Sequence, residues 1–144
     1  MVPTLAGRIQ TRLFVLAVIG SMLTLVVTPL LPLPGSLAAG YRTTFTVLAA
    51  VAILGVGWEF VYHGLQQFRW EKDWPTFFGL VTAINEGVLV FVLARYGLLP
   101  NVEPIPPGTF LIDFLVVWLG CWLFVNGPIR IPLVQWRFHG GRVI

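Results

Sequence analysis

Four long apolar stretches, separated by short breaks rich in proline, glycine or charge, make up most of this chain. Runs such as Val47–Val56 and Phe114–Val125 are apolar on every side, with neither the two-residue alternation of a barrel strand nor a single helical stripe. In hydrocarbon the backbone must satisfy its own hydrogen bonds, and helices fit this pattern. Spanning takes about 20 helical residues. The pattern predicts spans over roughly 13–33, 43–63, 76–96 and 110–125, with a helix start near Thr11. Prolines at 29, 32 and 34 end span 1, and Asn126-Gly127-Pro128 ends span 4. The segment Trp70–Pro75 reads as an interfacial link with a helix start at its end, and the loop with Pro100, Pro104, Pro106 and Pro107 as ordered but not helical.

Composition agrees. The chain has 144 residues, of which 57% are hydrophobic and only 10% charged, and its mean hydropathy is +0.86. Soluble domains carry about 25% charged residues. The expected fold class is therefore an all-α integral membrane protein: one four-helix transmembrane domain over residues 1–144, with a tail over 128–144. Little chain is left for a soluble domain. The net charge of +3 does not point to nucleic acid, because the basic residues sit at span ends. Seven of the nine (Arg8, Arg12, Arg69, Lys72, Arg130, Arg137 and Arg142) fall on one side and two (Arg42 and Arg95) on the other. By the positive-inside rule, both termini are expected in the cytoplasm and the chain in the cell inner (plasma) membrane as a multi-pass protein. Span 1 is longer than the apolar core of a signal peptide and is expected to be retained. The tail, with Val134, Gln135, Trp136, Arg137, Phe138 and His139, is expected to lie along the inner interface, Trp136 and Phe138 in lipid. Cys121 has no disulfide partner in the chain.

The polar interruptions carry the candidate chemistry. In span 2, Gly55, Glu59, Tyr62, His63 and Gln66 share one helix face. In span 3, Gly79, Ala83 and Gly87 recur every four residues, a small-xxx-small pattern that lets helices pack closely, and Thr82 and Glu86 lie beside it. Asn85, about 100° away, is expected to face another helix. Folding the chain back near position 72 brings Glu59 level with Glu86. Asp113, one turn into span 4, is expected about 7 Å further out.

A carboxylate at a helix centre costs about 2.5–3.5 kcal/mol on insertion scales. Glu59 and Glu86 must therefore be compensated. A protonated Glu could donate a hydrogen bond between helices to Tyr62, Thr82 or Asn85. Alternatively, Glu59 and His63, four apart, with Glu86 opposite, could hold iron, zinc or manganese. Their pattern departs from the paired Glu-x-x-His of di-iron bundles. A third possibility is a proton path through Asp113, Glu86, Glu59 and His63. Two histidines, one beyond the Gly-Pro break, do not suit a bis-His haem. No nucleophile elbow, His-Glu-x-x-His or phosphate loop occurs.

The expected function is a non-enzymatic accessory or scaffold subunit that works through helix contacts in the lipid bilayer, as a homo-oligomer or within a larger membrane complex. The alternative is an embedded site of Glu59, His63 and Glu86, for metal-dependent chemistry on a lipid-soluble substrate or for proton-coupled transport. The residue pattern names no cofactor beyond a possible metal ion.

Overall fold

The computed structural model describes residues 4–69, 76–100, 102, 105–133, 136 and 138–143. Among these there is no strand. The first span is α1 (Leu5–Val15), a π-helical turn (Leu16–Gly20), α2 (Ser21–Val27) and a 3₁₀ turn (Thr28–Leu30), followed by α3 (Leu37–Gln67), α4 (Thr76–Arg95) and α5 (Pro107–Asn126). A 3₁₀ turn, Pro128–Arg130, leads into the tail. Four helices, Leu5–Leu30, Leu37–Gln67, Phe77–Arg95 and Pro107–Asn126, are long and apolar enough to cross a membrane, with mean hydropathies of 2.4, 1.8, 2.0 and 2.0. This is the make-up of a multi-pass membrane protein. The expected link Trp70–Pro75, together with Pro104, Val134, Gln135 and Arg137, lies outside the described residues.

The helix ends follow from local chemistry. Thr4 caps α1, its hydroxyl accepting from the Gly7 amide at 3.1 Å, and Ser36 caps α3 through the Ala39 amide. Both supply an acceptor for amides that the first turn leaves unpaired. Helix α4 stops at Gly97, whose φ of 70° lies in the left-handed region. The Leu98 amide reaches back to Leu93 and the Gly97 amide to Ala94, which satisfies the last carbonyls.

The first helix starts at Leu5, about two turns before the expected start near Thr11. Thr4 is the sequence signal for it. The consequence is large, because Arg8 and Arg12 become part of the helix instead of flanking it. The π turn then matters. Along an α-helix, positions four apart drift by about 40° per step. The buried positions Arg8, Leu16, Gly20, Thr24 and Thr28 are spaced in multiples of four over twenty residues. A turn that holds more residues takes up part of that drift and keeps this series facing inward.

The helices pack as a ring. The first span touches α3 and α5, and α4 touches α3 and α5, so the first span and α4 lie on one diagonal, α3 and α5 on the other. The main core joins Leu16, Val47, Val51, Val90, Phe110 and Phe114. Large apolar side chains such as Ile53, Phe60, Ile84, Val88 and Leu123 point outward. The expected seam on α4 has a different form from close backbone packing. Gly79 and Gly87 are notches that receive the rings of Trp122 and Phe114 from α5. The Trp118 indole also donates to the Gly79 carbonyl at 3.1 Å. Ala83 is half-buried against the main core.

The tail also corrects an expectation. Trp136 is buried against Val15 and Ile129 and does not lie on an outer apolar surface. Its indole donates to the Thr11 hydroxyl at 2.8 Å, and that hydroxyl donates to the Gly141 carbonyl at 2.7 Å. The Thr4 amide donates to Gly140, and the Val143 amide to the Gln10 side chain. The aromatic area and the backbone carbonyls and amide of the tail all find partners on α1 or its cap, so the tail folds back over that end of the bundle. Phe138, by contrast, is exposed.

Candidate functional site: a four-residue ionic cluster beside a cavity

Helix α3 presents Gly55, Glu59, Tyr62 and Gln66 inward, all four buried, as their spacing predicts. Helix α4 presents Glu86, which is 2% exposed. The two acids meet, but through a residue from the first helix. Arg12 donates from Nε to Glu59 Oε1 at 2.8 Å, from Nη1 to Glu86 Oε2 at 2.8 Å and from Nη2 to Glu86 Oε1 at 2.9 Å. Its Nη2 also lies 2.7 Å from Glu59 Oε1. Arg8, one turn earlier, donates from Nε to Glu59 Oε2 at 2.8 Å and from Nη1 to Gln66 Oε1 at 3.3 Å.

Tyr62 and Asn85 complete the cluster. The Tyr62 hydroxyl donates to Glu86 Oε1 at 2.8 Å and accepts from Asn85 Nδ2 at 2.8 Å. Asn85 thus faces the same helix as Glu86, although it stands about 100° round α4. Its side chain is long enough to turn back to α3. Trp58 stacks on Tyr62, ring centres 5.8 Å apart, and the Arg8 guanidinium lies 5.9 Å from the Tyr62 ring centre.

All four carboxylate oxygens of Glu59 and Glu86 therefore accept hydrogen bonds. This replaces the expectation of a protonated glutamate acting as donor: each carboxyl accepts, and the donors are guanidinium groups and a phenol. Two arginines balance two glutamates, so the cluster carries no net charge. Removing single ions from water costs several kcal/mol each, and only multiple well-aligned contacts offset it. The planar guanidinium fork supplies those contacts.

Gly55 makes room for this. A Cβ at position 55 would collide with the Arg12 guanidinium. Gly57, two residues on, faces open space.

The other expected site residues fall outside the cluster. His63 is half-buried, and its Nε2 lies 3.4 Å from Gln67 Nε2. Its Nδ1 has no hydrogen-bond partner among the described residues. The stripe divides here because His63 is rotated about 100° from Tyr62. No group of three or more His, Cys, Asp or Glu side chains with metal-holding geometry occurs among the described residues. Arg12 stands between the two glutamates where a shared ion would have to sit. Asp113 is buried on α5, outside the ionic cluster, and its Oδ1 has no hydrogen-bond partner among the described residues. Thr82 bonds to the Gly79 carbonyl of its own helix.

Beside the cluster, the helices line a partly open cavity of about 490 Å³. Arg12 and Glu59 line it, as do Asp113 and Phe114, and Trp136 from the tail.

Arg8 and Arg12 are the site residues that sequence reasoning missed. Two signals could have found them: they stand four apart on one helix face behind the Thr4 cap, and two acids inside spans call for two cations. No family model matches this chain, and no curated protein or solved structure matches it. The geometry alone carries the functional argument.

Proposed function

We propose that this chain is a multi-pass inner-membrane protein, both termini cytoplasmic, that works by binding rather than by catalysis, as an accessory or scaffold subunit acting through its helices. The observation that carries this reading is the engagement of Glu59 and Glu86 by donors from the neighbouring helices. Every carboxylate oxygen is engaged by Arg8, Arg12 or Tyr62. Each oxygen already faces a guanidinium or phenol donor, so a substrate proton or a metal cation would have to displace that donor and leave a buried charge unmatched. On this reading the cluster is a tie, buried at membrane depth, that fixes the first span against α3 and α4. The outward apolar side chains on α3, α4 and α5 then offer contact to lipid or to the helices of a second protein or copy. The reading with Glu59, His63 and Glu86 as a metal or proton site has less support, since His63 stands apart.

The test is native mass spectrometry of the chain extracted with its surrounding lipid at endogenous abundance. A stoichiometric second polypeptide, or a second copy, is the expected result. A lone monomer in every preparation would overturn the proposal.

A further inference from the structure

The cluster absorbs four charged side chains but leaves Asp113. Among the described ionisable residues that line the cavity, Asp113 is the acid without an ionic partner. It is 7% exposed, and its Oδ1 receives no hydrogen bond from the described residues. A buried carboxylate oxygen without a donor is uncommon in folded proteins and asks for an explanation. The cavity it lines falls within the range of about 300–1,000 Å³ typical of small-molecule sites.

Its surroundings define what could meet it. Phe114, the next residue, and Trp118, one turn on, stack with ring centres 5.3 Å apart, continuing from Phe110 at 5.7 Å. Both Phe114 and Trp118 line the same cavity, with Val47, Val51 and Val117 among the apolar positions around it. Aromatic faces attract cations. The arginines cannot serve Asp113, because Arg8 and Arg12 are committed to the glutamates. A bare metal cation is a poor match, since a hard ion asks for six or more oxygens. A mainly apolar cavity with aromatic side chains, several threonines and one unbalanced acid instead matches an apolar body that carries an N–H cation.

We propose that the cavity binds a small amphiphilic ammonium compound, its N–H donating to Asp113 and its apolar body lying against Phe114 and Trp118. The proposal stands apart from the accessory role: it needs only the bundle interior, whatever the outer surface binds.

The experiment uses the full chain in lipid nanodiscs and equilibrium dialysis against empty discs. The probes are 1-naphthylmethylamine and its neutral counterpart 1-naphthylmethanol. Saturable binding of the amine, at least about tenfold tighter than the alcohol, is expected, as for a charge-assisted hydrogen bond. Asp113→Asn should weaken amine binding by about tenfold or more and leave the alcohol unchanged. Val117→Phe, which fills the cavity one turn from Asp113 and keeps the carboxylate, should abolish amine binding; if Asp113→Asn does not fold, this variant decides. No saturable binding beyond empty discs, equal affinity for the two probes, or amine binding that survives either folded variant would overturn the proposal.

Discussion

Arg12 and Glu86 form a two-point ion pair, with Nη1–Oε2 at 2.8 Å and Nη2–Oε1 at 2.9 Å, across a diagonal of the helix ring. Their helices touch less than the neighbours around the ring, so the side chains make the connection. Truncating one partner leaves the other buried with unmatched charge. Arg12→Met is expected to destabilise the fold by about 3–5 kcal/mol, and the added change Glu86→Met to recover part of that loss, because a buried pair replaced by apolar groups is often near neutral. Equilibrium unfolding in mixed micelles, run as a double-mutant cycle, measures the coupling. Additive losses would show that the pair does not act as a unit.

Gly55 and Gly57 give a matched test of the space around Arg12. Gly55→Ala places a methyl group against the guanidinium. Overpacking of this kind costs about 1–3 kcal/mol. Gly57→Ala meets nothing and should leave stability unchanged or raise it by up to about 1 kcal/mol through helix propensity. Unfolding midpoints of the two variants in the same detergent provide the comparison. A Gly55→Ala protein as stable as Gly57→Ala would contradict the geometry.

Trp136 ties the tail to α1 through packing and one hydrogen bond. Trp136→Phe keeps most of the apolar area but loses the bond to Thr11, an expected cost of about 1 kcal/mol. Trp136→Ala also leaves a hole, for about 3–5 kcal/mol. Hydrogen exchange read by mass spectrometry should show faster exchange in the first turns of α1, around Thr4–Thr11, and little change in α4. Uniform exchange across all helices would argue against a local tie.

His63 is half-buried and stands outside the cluster, so His63→Ala should change stability by about 1 kcal/mol or less, well short of the loss expected for Arg12→Met. Metal content should also be the same in wild type and variant when both are exposed to zinc or iron and then dialysed. Stoichiometric metal in the wild type that His63→Ala removes would make the metal site the leading reading.

The hydropathy pattern determines the number of helices and their approximate limits, because long apolar runs offer few alternatives to a self-bonded helix. It also brings Glu59 and Glu86 to one level, since an antiparallel hairpin fixes relative height by counting. The face of α3 was legible in the same way: Glu59, Tyr62 and Gln66 follow helical spacing, and all three are buried. What the pattern could not show is the partner of the two acids. Arg8 and Arg12 look like flanking charges in sequence, and the capped helix start at Thr4 turns them inward. Trp136 looked like an interfacial anchor until the tail folded back and offered Thr11 as its acceptor. Hydropathy is a property of each segment, so one chain of residues reveals it. A guanidinium fork between two carboxylates depends on three helices meeting at set distances, and only the tertiary structure decides that.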